Sequence, residues 1–290
     1  MSQYTKGFLI TLAGVLVITP DTLLIRLIDA DSWTLLFWRG ALSAVGIAVG
    51  VFATQGVRAF GAFRTIGLPG LSIAVIFSLG TTCFVISVNT TLVANTLFIT
   101  ATSPVFAALI SRFVLKEAVS RRTWMTILAT MAGIAIIASG SLGAGQGNVW
   151  GDLAAVGAAV STAATFSIAR AKKSASMVPA MSVAGVCVAL IALCFTTTVA
   201  VPAQDVAWMA ILGLVVAAGG FALLATGPRY LPAPDVSLLL LLEAILGPLL
   251  VWALLGEFPG ERTLIGGAVV LVAMVASNLI ALRSAGARPS

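Results

Sequence analysis

The residues with the most obvious chemistry in this sequence are three charged side chains inside long apolar stretches: Asp21, Arg39 and Glu243. A charge inside such a stretch is costly if the stretch crosses a membrane, so it faces a cavity, pairs with another group or takes up a proton. Glu243 is therefore a candidate for contacting a substrate amine. Glu243 and Asp21 are also the candidates for proton coupling.

Each of the three residues has a structural alternative. Glu243 is explained equally well as a protonated, hydrogen-bonded structural acid. Asp21 follows Pro20, and the favoured interpretation puts it near the outer end of its apolar stretch, in contact with water. Arg39 has a planar guanidinium group that can bind a substrate carboxylate through two hydrogen bonds. It follows Trp38, however, and we expect it to extend toward the outer interface beside this ring.

Aromatic rings and small polar side chains of the kind that hold an amphipathic solute occur in the same stretches. The candidates for lining a substrate cavity, besides Arg39 and Glu243, are Trp38, Phe77, Thr81, Asn89, Ser103 and Phe166. A single residue of this kind more often packs one helix against another. Three prolines, Pro20, Pro104 and Pro248, lie within apolar stretches, and because proline lacks a backbone donor they are candidate hinges or kinks.

The absence of histidine excludes several kinds of site. No histidine-based metal centre, proton relay or catalytic pair with serine or cysteine can form, and we expect no metal site. The phosphate-binding pattern Gly-x-x-x-x-Gly-Lys-Ser/Thr does not occur either, so ATP is not expected to drive the protein. An intramembrane lipid-modifying enzyme is an alternative from a different class, but the paired acids and interfacial basic residues that it would carry are not found. We therefore predict that the protein is not an enzyme.

The apolar stretches are long enough to cross a membrane. Hydrophobic residues make up 60% of the chain and charged residues 9%, which is too apolar for a soluble protein of this length. A membrane-spanning helix needs about 20 mainly apolar residues. Ten such runs occur, with approximate limits 7–27, 33–53, 66–88, 92–115, 123–140, 150–170, 179–200, 206–226, 235–255 and 263–282. The sequence therefore predicts an all-α integral membrane protein with ten transmembrane helices.

Lysine and arginine are distributed very unevenly between the two ends of these spans. Ten spans place both chain termini on one side, and that side receives Lys6, Arg58, Arg64, Arg112, Lys116, Arg121, Arg122, Arg170, Lys172, Lys173, Arg229, Arg283 and Arg288. The other side receives Arg26 and Arg262, while Arg39 lies inside the second span. Since basic residues collect on the cytoplasmic side, both termini are predicted to be cytoplasmic. Membrane orientation thus explains the basic excess, and no nucleic-acid partner is expected.

The chain also contains a weak internal repeat. An apolar run that ends in the pattern Glu-x-x-x-x-Arg-Thr at Glu117 recurs at Glu257, a shift of 140 positions. The same shift sets Ser103 against Glu243. The chain therefore consists of two related halves of five spans each, and we place them at 1–145 and 146–290.

Five spans in each half make the repeat inverted, because an odd number makes the second half enter the membrane from the opposite side. Arg26 and Arg170, which a shift of 144 positions pairs near the start of each half, then lie on opposite faces. Inverted repeats are the architecture of alternating-access transporters, whose substrate site lies at the repeat interface near mid-membrane. Glu117 and Glu257 lie at span ends, where an acid complements the N-terminus of the following helix, and we assign both to structure.

Two tandem five-span halves with this closing pattern resemble the drug/metabolite transporter superfamily, and within it the ten-span EamA-type exporters. The best local match is Ser103-Pro104…Leu115-Lys116-Glu117, echoed by Glu243-Ala244…Leu255-Gly256-Glu257. The second copy departs from the family pattern, since Ala244 stands where the family often has proline and Pro248 follows four residues later. The resemblance implies export of small metabolites, commonly amino acids, without a bound cofactor. The bacterial aromatic amino-acid exporters are the most similar branch.

The sequence as a whole favours a secondary transporter of the bacterial inner membrane that exports small metabolites by alternating access around a central cavity. Aromatic or neutral amino acids are the favoured substrates, the lipid bilayer is the other partner, and the oligomeric state stays open. Phosphorylated substrates would need several cations, and Arg39 is the only one well inside a span. An exporter of lipophilic cations or drugs, held by aromatic rings and Glu243, is the alternative.

The predicted orientation is testable with two reporter fusions. A fluorescent protein fused after Ser290 should fluoresce, because the C-terminus is predicted to be cytoplasmic, whereas alkaline phosphatase inserted within 139–148 should be active outside. Phosphatase activity from a fusion after Ser290 would contradict the predicted cytoplasmic location of the C-terminus.

Overall fold

A computed structural model describes residues 3–113, 121–141, 147–171, 178–226, 230 and 233–286. These residues form helices joined by short connections and contain no strand. The helices are α1 (Gln3–Ile18), α2 (Asp21–Leu27), α3 (Ser32–Gln55), α4 (Ala59–Arg64), α5 (Gly67–Thr90), α6 (Val93–Thr100), α7 (Ser103–Phe113), α8 (Arg121–Ser141), α9 (Val149–Ala171), α10 (Val178–Leu193), α11 (Val206–Ala210), α12 (Ala218–Thr226), α13 (Ala233–Leu255) and α14 (Glu261–Gly286).

The ten predicted spans are confirmed in number and order. Helices α1 and α2 together form the first span, and α6 and α7 form the fourth. Helices α11 and α12, joined by a π-helical stretch (Ile211–Ala217), form the eighth, while α4 is a short helix between the second and third spans. Five helical stretches of the described chain are long and apolar enough to cross a membrane by length and composition alone. The chain is an all-α membrane protein.

The predicted limits of the seventh span need correction. We expected it to continue to residue 200, but α10 ends at Leu193. Beyond it lie Thr196 and Thr198, and the Thr198 hydroxyl accepts a hydrogen bond from the backbone N–H of Ala200 at 3.1 Å. Because threonine hydroxyls offer the backbone partners outside a helix, apolar content alone overestimated the length of this helix.

Two of the three prolines lie at breaks between helices. Thr19 and Pro20 separate α1 from α2, and the Thr19 hydroxyl donates to the carbonyl oxygen of Val15 at 2.7 Å. Pro104 is the second residue of α7, after a break at residues 101–102, and there its missing N–H costs little. Pro248, in contrast, lies inside the continuous helix α13. The first and fourth spans are therefore broken helices.

The helices of the two halves pack in the symmetric pattern expected of two equivalent repeats. Helix α3 packs against α10, α8 against α14 and α6 against α13, so the second, fifth and fourth spans each contact their own equivalents. Helix α1 packs against α12, and α5 packs against α9. The first pair joins spans one and eight, and the second joins spans six and three. Span six is the equivalent of span one and span three is the equivalent of span eight, so the two contacts are equivalent. Because each half has five spans, the fold consists of two inverted five-span repeats.

Glycine allows a close approach between the halves where α3 crosses α10. A Cβ atom added to Gly40 of α3 would lie 2.7 Å from the carbonyl oxygen of Gly185 in α10 and 2.9 Å from the backbone nitrogen of Ala189. The hydroxyl of Ser182 donates a hydrogen bond to the carbonyl oxygen of Ala44 at 2.8 Å across the same contact. Small residues at a helix crossing permit this backbone-to-backbone packing.

Alanine at Gly40 should therefore destabilise the protein, by about 1–3 kcal/mol, because the backbone of α10 has to move away. Gly50→Ala is the matched control, since Gly50 lies on the same helix and a Cβ atom there would have nothing within 4 Å. It should be neutral or stabilise the helix by about 0.5–1 kcal/mol. Thermal unfolding of the purified variants in detergent measures both, and equal midpoints would refute the close packing of α3 on α10.

Candidate functional site

A central cavity of about 200 Å³ lies where the broken spans meet the second half of the chain. Its lining includes Asp21 beside the first break and Ser103 and Pro104 beside the second. Of the other residues that the sequence placed in a cavity, Arg39, Phe77, Thr81 and Glu243 also line it. The walls are otherwise mainly apolar.

Asp21 and Arg39 form a buried ion pair in this cavity. Arg39 donates from Nε to Oδ1 of Asp21 at 3.2 Å, and from Nη2 to Oδ1 at 3.1 Å and to Oδ2 at 3.0 Å. Only 4% of the arginine side chain and 2% of the aspartate side chain is exposed. The expectations of a water-exposed Asp21 and of an Arg39 that reaches the interface were therefore wrong. Each charge is the reason that the other can be buried.

Local backbone structure explains the position of the pair. The break at Pro20 makes Asp21 the first residue of α2, where a negative charge is favoured by the helix N-terminus. The aromatic ring of Phe221 from α12 covers the Arg39 guanidinium, with Cζ 5.5 Å from the ring centroid. Phe77 contacts Phe221 edge to face at 5.0 Å between centroids. The first half thus supplies the ion pair, and the second half supplies the ring that covers it.

Glu243 of α13 is the third charged residue of the cavity. It lies close enough to Asp21 and Arg39 for electrostatic interaction with both, but it has no hydrogen-bond partner among the described residues. Nη1 of Arg39 likewise has no partner in the described part of the chain. The cavity therefore contains one cationic donor and one carboxylate that are both free to contact a bound molecule.

Pseudo-symmetry relates the polar residues of the cavity to one another. The shift of 140 positions sets Ser103 against Glu243, and the shift of 144 sets Asp21 against Thr165. All four residues line the cavity. The cavity thus lies on the pseudo-two-fold axis that relates the halves, and each equivalent pair carries its charge on one member only.

Several residues that the sequence singled out lie elsewhere. Trp38 donates from its ring nitrogen to the carbonyl oxygen of Val199 at 2.8 Å, and Asn89 donates to the hydroxyl of Ser32 at 2.9 Å. Neither lines the central cavity. The side chain of Phe166 lies outside the described residues.

The structure describes only one of the two glutamates of the repeat pattern, Glu257. Glu257 does not cap the helix that follows it; its Oε1 accepts the backbone N–H of Val93, the first residue of α6, at 2.8 Å. Glu117 lies outside the described residues, so its assignment to structure stays a prediction.

Sequence reasoning missed Phe221 as a residue of the cavity. Its ring covers Arg39 because α12 of the second half packs against α3 of the first. A single aromatic residue in an apolar span carries no signal of such a contact, although the adjacent Gly220 hints that this part of α12 approaches a neighbour closely. A Cβ atom at Gly220 would lie 2.9 Å from Cδ1 of Ile18.

Removing one partner of the ion pair should destabilise the protein more than removing both. Arg39→Met leaves the Asp21 carboxylate buried without a partner, which costs about 3–5 kcal/mol. Asp21→Asn combined with Arg39→Met should recover much of this loss, because no uncompensated charge remains. Thermal unfolding of the single and double variants in detergent measures the coupling. Strictly additive losses would contradict a direct, buried pair.

Comparison with known proteins agrees with this architecture. The model of the EamA-like transporter family matches the chain twice, at residues 5–139 and 149–279. A solved crystal structure of another protein superposes with a TM-score of 0.68, covering 96% of this chain and 98% of its own at 18% sequence identity, which shows a shared fold. No curated protein matches the sequence. With two family matches that together cover most of its length, one in each inverted half, the chain belongs to the EamA-like transporter family, and so to the drug/metabolite transporters of small molecules.

Proposed function

We propose that this transporter exports small zwitterionic metabolites, and specifically amino acids with apolar or aromatic side chains. The observation that carries the proposal is the placement of Asp21, Arg39 and Glu243 together in one otherwise apolar cavity. A zwitterion presents one carboxylate and one amine a short distance apart. The free Nη1 of Arg39 suits the carboxylate, and Glu243 suits the amine.

The rest of the cavity supports a substrate with an apolar side chain. Phe77, Phe84 and Phe221 line it, and aromatic rings bind apolar or aromatic groups favourably. Asp21 already holds Arg39 through three hydrogen bonds, which fixes the orientation of the guanidinium before a substrate arrives. A donor that is held in place loses little conformational entropy when it binds a ligand.

Glu243 also supports coupling to protons. A carboxylate without a partner in an apolar cavity is stabilised either by a substrate amine or by a proton. Binding of the amine and binding of the proton then exclude each other on one carboxylate. Export of the substrate in exchange for a proton follows from this competition.

Transport is proposed to proceed by alternating access in the bacterial inner membrane, with both termini cytoplasmic. The cavity lies where the two inverted repeats meet, which is where carriers of this architecture bind their substrates. The halves that move against each other are proposed to be 1–145 and 146–290. The distribution of basic residues supports the orientation.

Export of lipophilic cations is the second candidate. Asp21 already neutralises Arg39, so the charge left over in the cavity is that of an ionised Glu243. An aromatic cavity with a single uncompensated carboxylate suits a hydrophobic cation. The two candidates differ in whether the substrate needs its own carboxylate.

Counterflow in proteoliposomes tests the proposal. Purified protein, loaded with unlabelled phenylalanine, should accumulate radiolabelled phenylalanine transiently and saturably. Glu243→Gln should reduce this exchange at least about tenfold, the effect of losing about 1.4 kcal/mol of binding, and should weaken its dependence on pH. Glu261→Gln is the matched control, because Glu261 is exposed at the start of α14.

The alternative outcomes are distinct. Exchange of a hydrophobic cation without exchange of any neutral amino acid would replace the amino-acid proposal with the second candidate. Full phenylalanine exchange by Glu243→Gln would remove Glu243 from the mechanism.

A further inference from the structure

The outer half of the bundle is closed by an apolar layer between the central cavity and the outer face. It is built from the ends of the spans that the charge distribution places outside. Ile25 of α2, Val88 of α5, Val93 of α6 and Val251 of α13 are each at most 1% exposed and belong to one packed cluster. A solute in the cavity therefore cannot leave toward the outer face unless this layer separates.

A small set of polar contacts lies over this layer and joins the two halves. Oε2 of Glu257, in the connection between α13 and α14, lies 3.1 Å from Nη2 of Arg26 at the end of α2. The same Nη2 donates to the carbonyl oxygen of Thr91 at 2.7 Å. Together with the bond from the Val93 N–H to Glu257 at 2.8 Å, these contacts connect the first, fourth and ninth spans.

A second acidic residue, Asp152 of the other half, binds side chains of the same segment. Asp152 of α9 accepts hydrogen bonds from the Thr91 hydroxyl at 2.8 Å and from the Asn95 amide at 3.1 Å. The hydroxyl of Thr263 in α14 donates to the Asn95 amide oxygen at 2.6 Å. Thr91 is thus bonded both to Arg26 of its own half and to Asp152 of the other half.

Some polar atoms in these contacts lack a hydrogen-bond partner, which favours separation of the two halves here. Nε of Arg26 and Oδ2 of Asp152 are buried and have no hydrogen-bond partner among the described residues. Buried charged atoms without partners lower the net stability of the arrangement that contains them. A separate pocket of about 400 Å³ lies against Arg26, Thr91 and Glu257. These residues therefore line open space on the outer side of the apolar layer.

We propose that Glu257 is the positioning residue of an outer gate, which consists of Glu257, Arg26 and the segment Thr91–Val93. The carboxylate binds an arginine and a helix N-terminus of the first half while belonging to the second half. It holds the halves together on the outer face, and loss of this contact lets the apolar layer separate. This rests on the proposed alternating access, but its test requires no substrate.

The experiment measures access to the cavity from the outside. Thr162, which lines the cavity, is replaced by cysteine in a chain whose three cysteines, Cys83, Cys187 and Cys194, are replaced by alanine. A membrane-impermeant thiol reagent is then applied to intact cells. Glu257→Gln should speed labelling at least about tenfold, which corresponds to a shift of about 1.4 kcal/mol toward the outward-open state. Glutamine retains an acceptor for the Val93 N–H, so the variant removes the ion pair specifically.

The matched control is Glu261→Gln, which makes the same chemical change four residues later at an exposed position and should label at the parent rate. Arg26→Gln breaks the ion pair from its other partner and should also accelerate labelling. In inside-out vesicles, Glu257→Gln should label more slowly than the parent, which also shows that the variant is folded.

Unchanged outside labelling in both Glu257→Gln and Arg26→Gln, with normal labelling in inside-out vesicles, would overturn the gate. Equal acceleration by Glu261→Gln would overturn it as well, because the effect would then be one of surface charge. Faster labelling in a protein that exchanges no amino acid would support the gate while refuting the proposed substrate, so the two failures are distinguishable.

Discussion

A membrane interior provides no water to satisfy backbone polar groups, and this constraint determines where the helices of this protein can break. Both proline breaks, at Pro20 and before Pro104, adjoin residues that line the central cavity, Asp21 at the first and Ser103 at the second. Threonine hydroxyls bond to the backbone at each of them, from Thr19 to Val15 and from Thr102 to Ile99 at 2.6 Å. The break at Pro20 in turn places Asp21 at a helix N-terminus facing Arg39. The position of the ion pair in the cavity is thus a consequence of where broken backbone is tolerated.

The inverted repeat supplies the geometry of the site, and departures from symmetry supply its charge. Ser103 and Glu243 are equivalent positions, as are Asp21 and Thr165, and all four line the cavity. A symmetric cavity would carry either no acids or twice as many. With one acid at each pair, the first half contributes a neutralised ion pair and the second half contributes a carboxylate without a partner. The cavity is therefore polar at a few positions and apolar elsewhere.

Composition and the internal repeat were enough to predict ten spans, their order and the inverted duplication. The length of each span can be read from its own segment, and the inversion follows from the odd number of spans in each half. The identity of the cavity residues was harder to predict. Asp21 and Arg39 were each assigned to water or to the interface, since a sequence shows the cost of one buried charge but not that the second charge, 18 positions away, lies within hydrogen-bond distance. The contacts of Trp38, Asn89 and Phe221 depend on which helices are neighbours. The contacts of Glu257 depend on partners in the other half of the chain. Helical phase in the apolar spans does not reveal such contacts.

The central claim is that one buried site recognises both charges of a zwitterion. The most direct test compares the affinity of the purified protein for phenylalanine, for phenethylamine, which lacks the carboxylate, and for N-acetylphenylalanine, which lacks the free amine. Both analogues should bind at least about tenfold more weakly than phenylalanine, because phenethylamine leaves Nη1 of Arg39 without an acceptor and N-acetylphenylalanine leaves the Glu243 carboxylate without an amine. Phenethylamine binding as tightly as phenylalanine would show that Arg39 takes no part in recognition and would contradict the account.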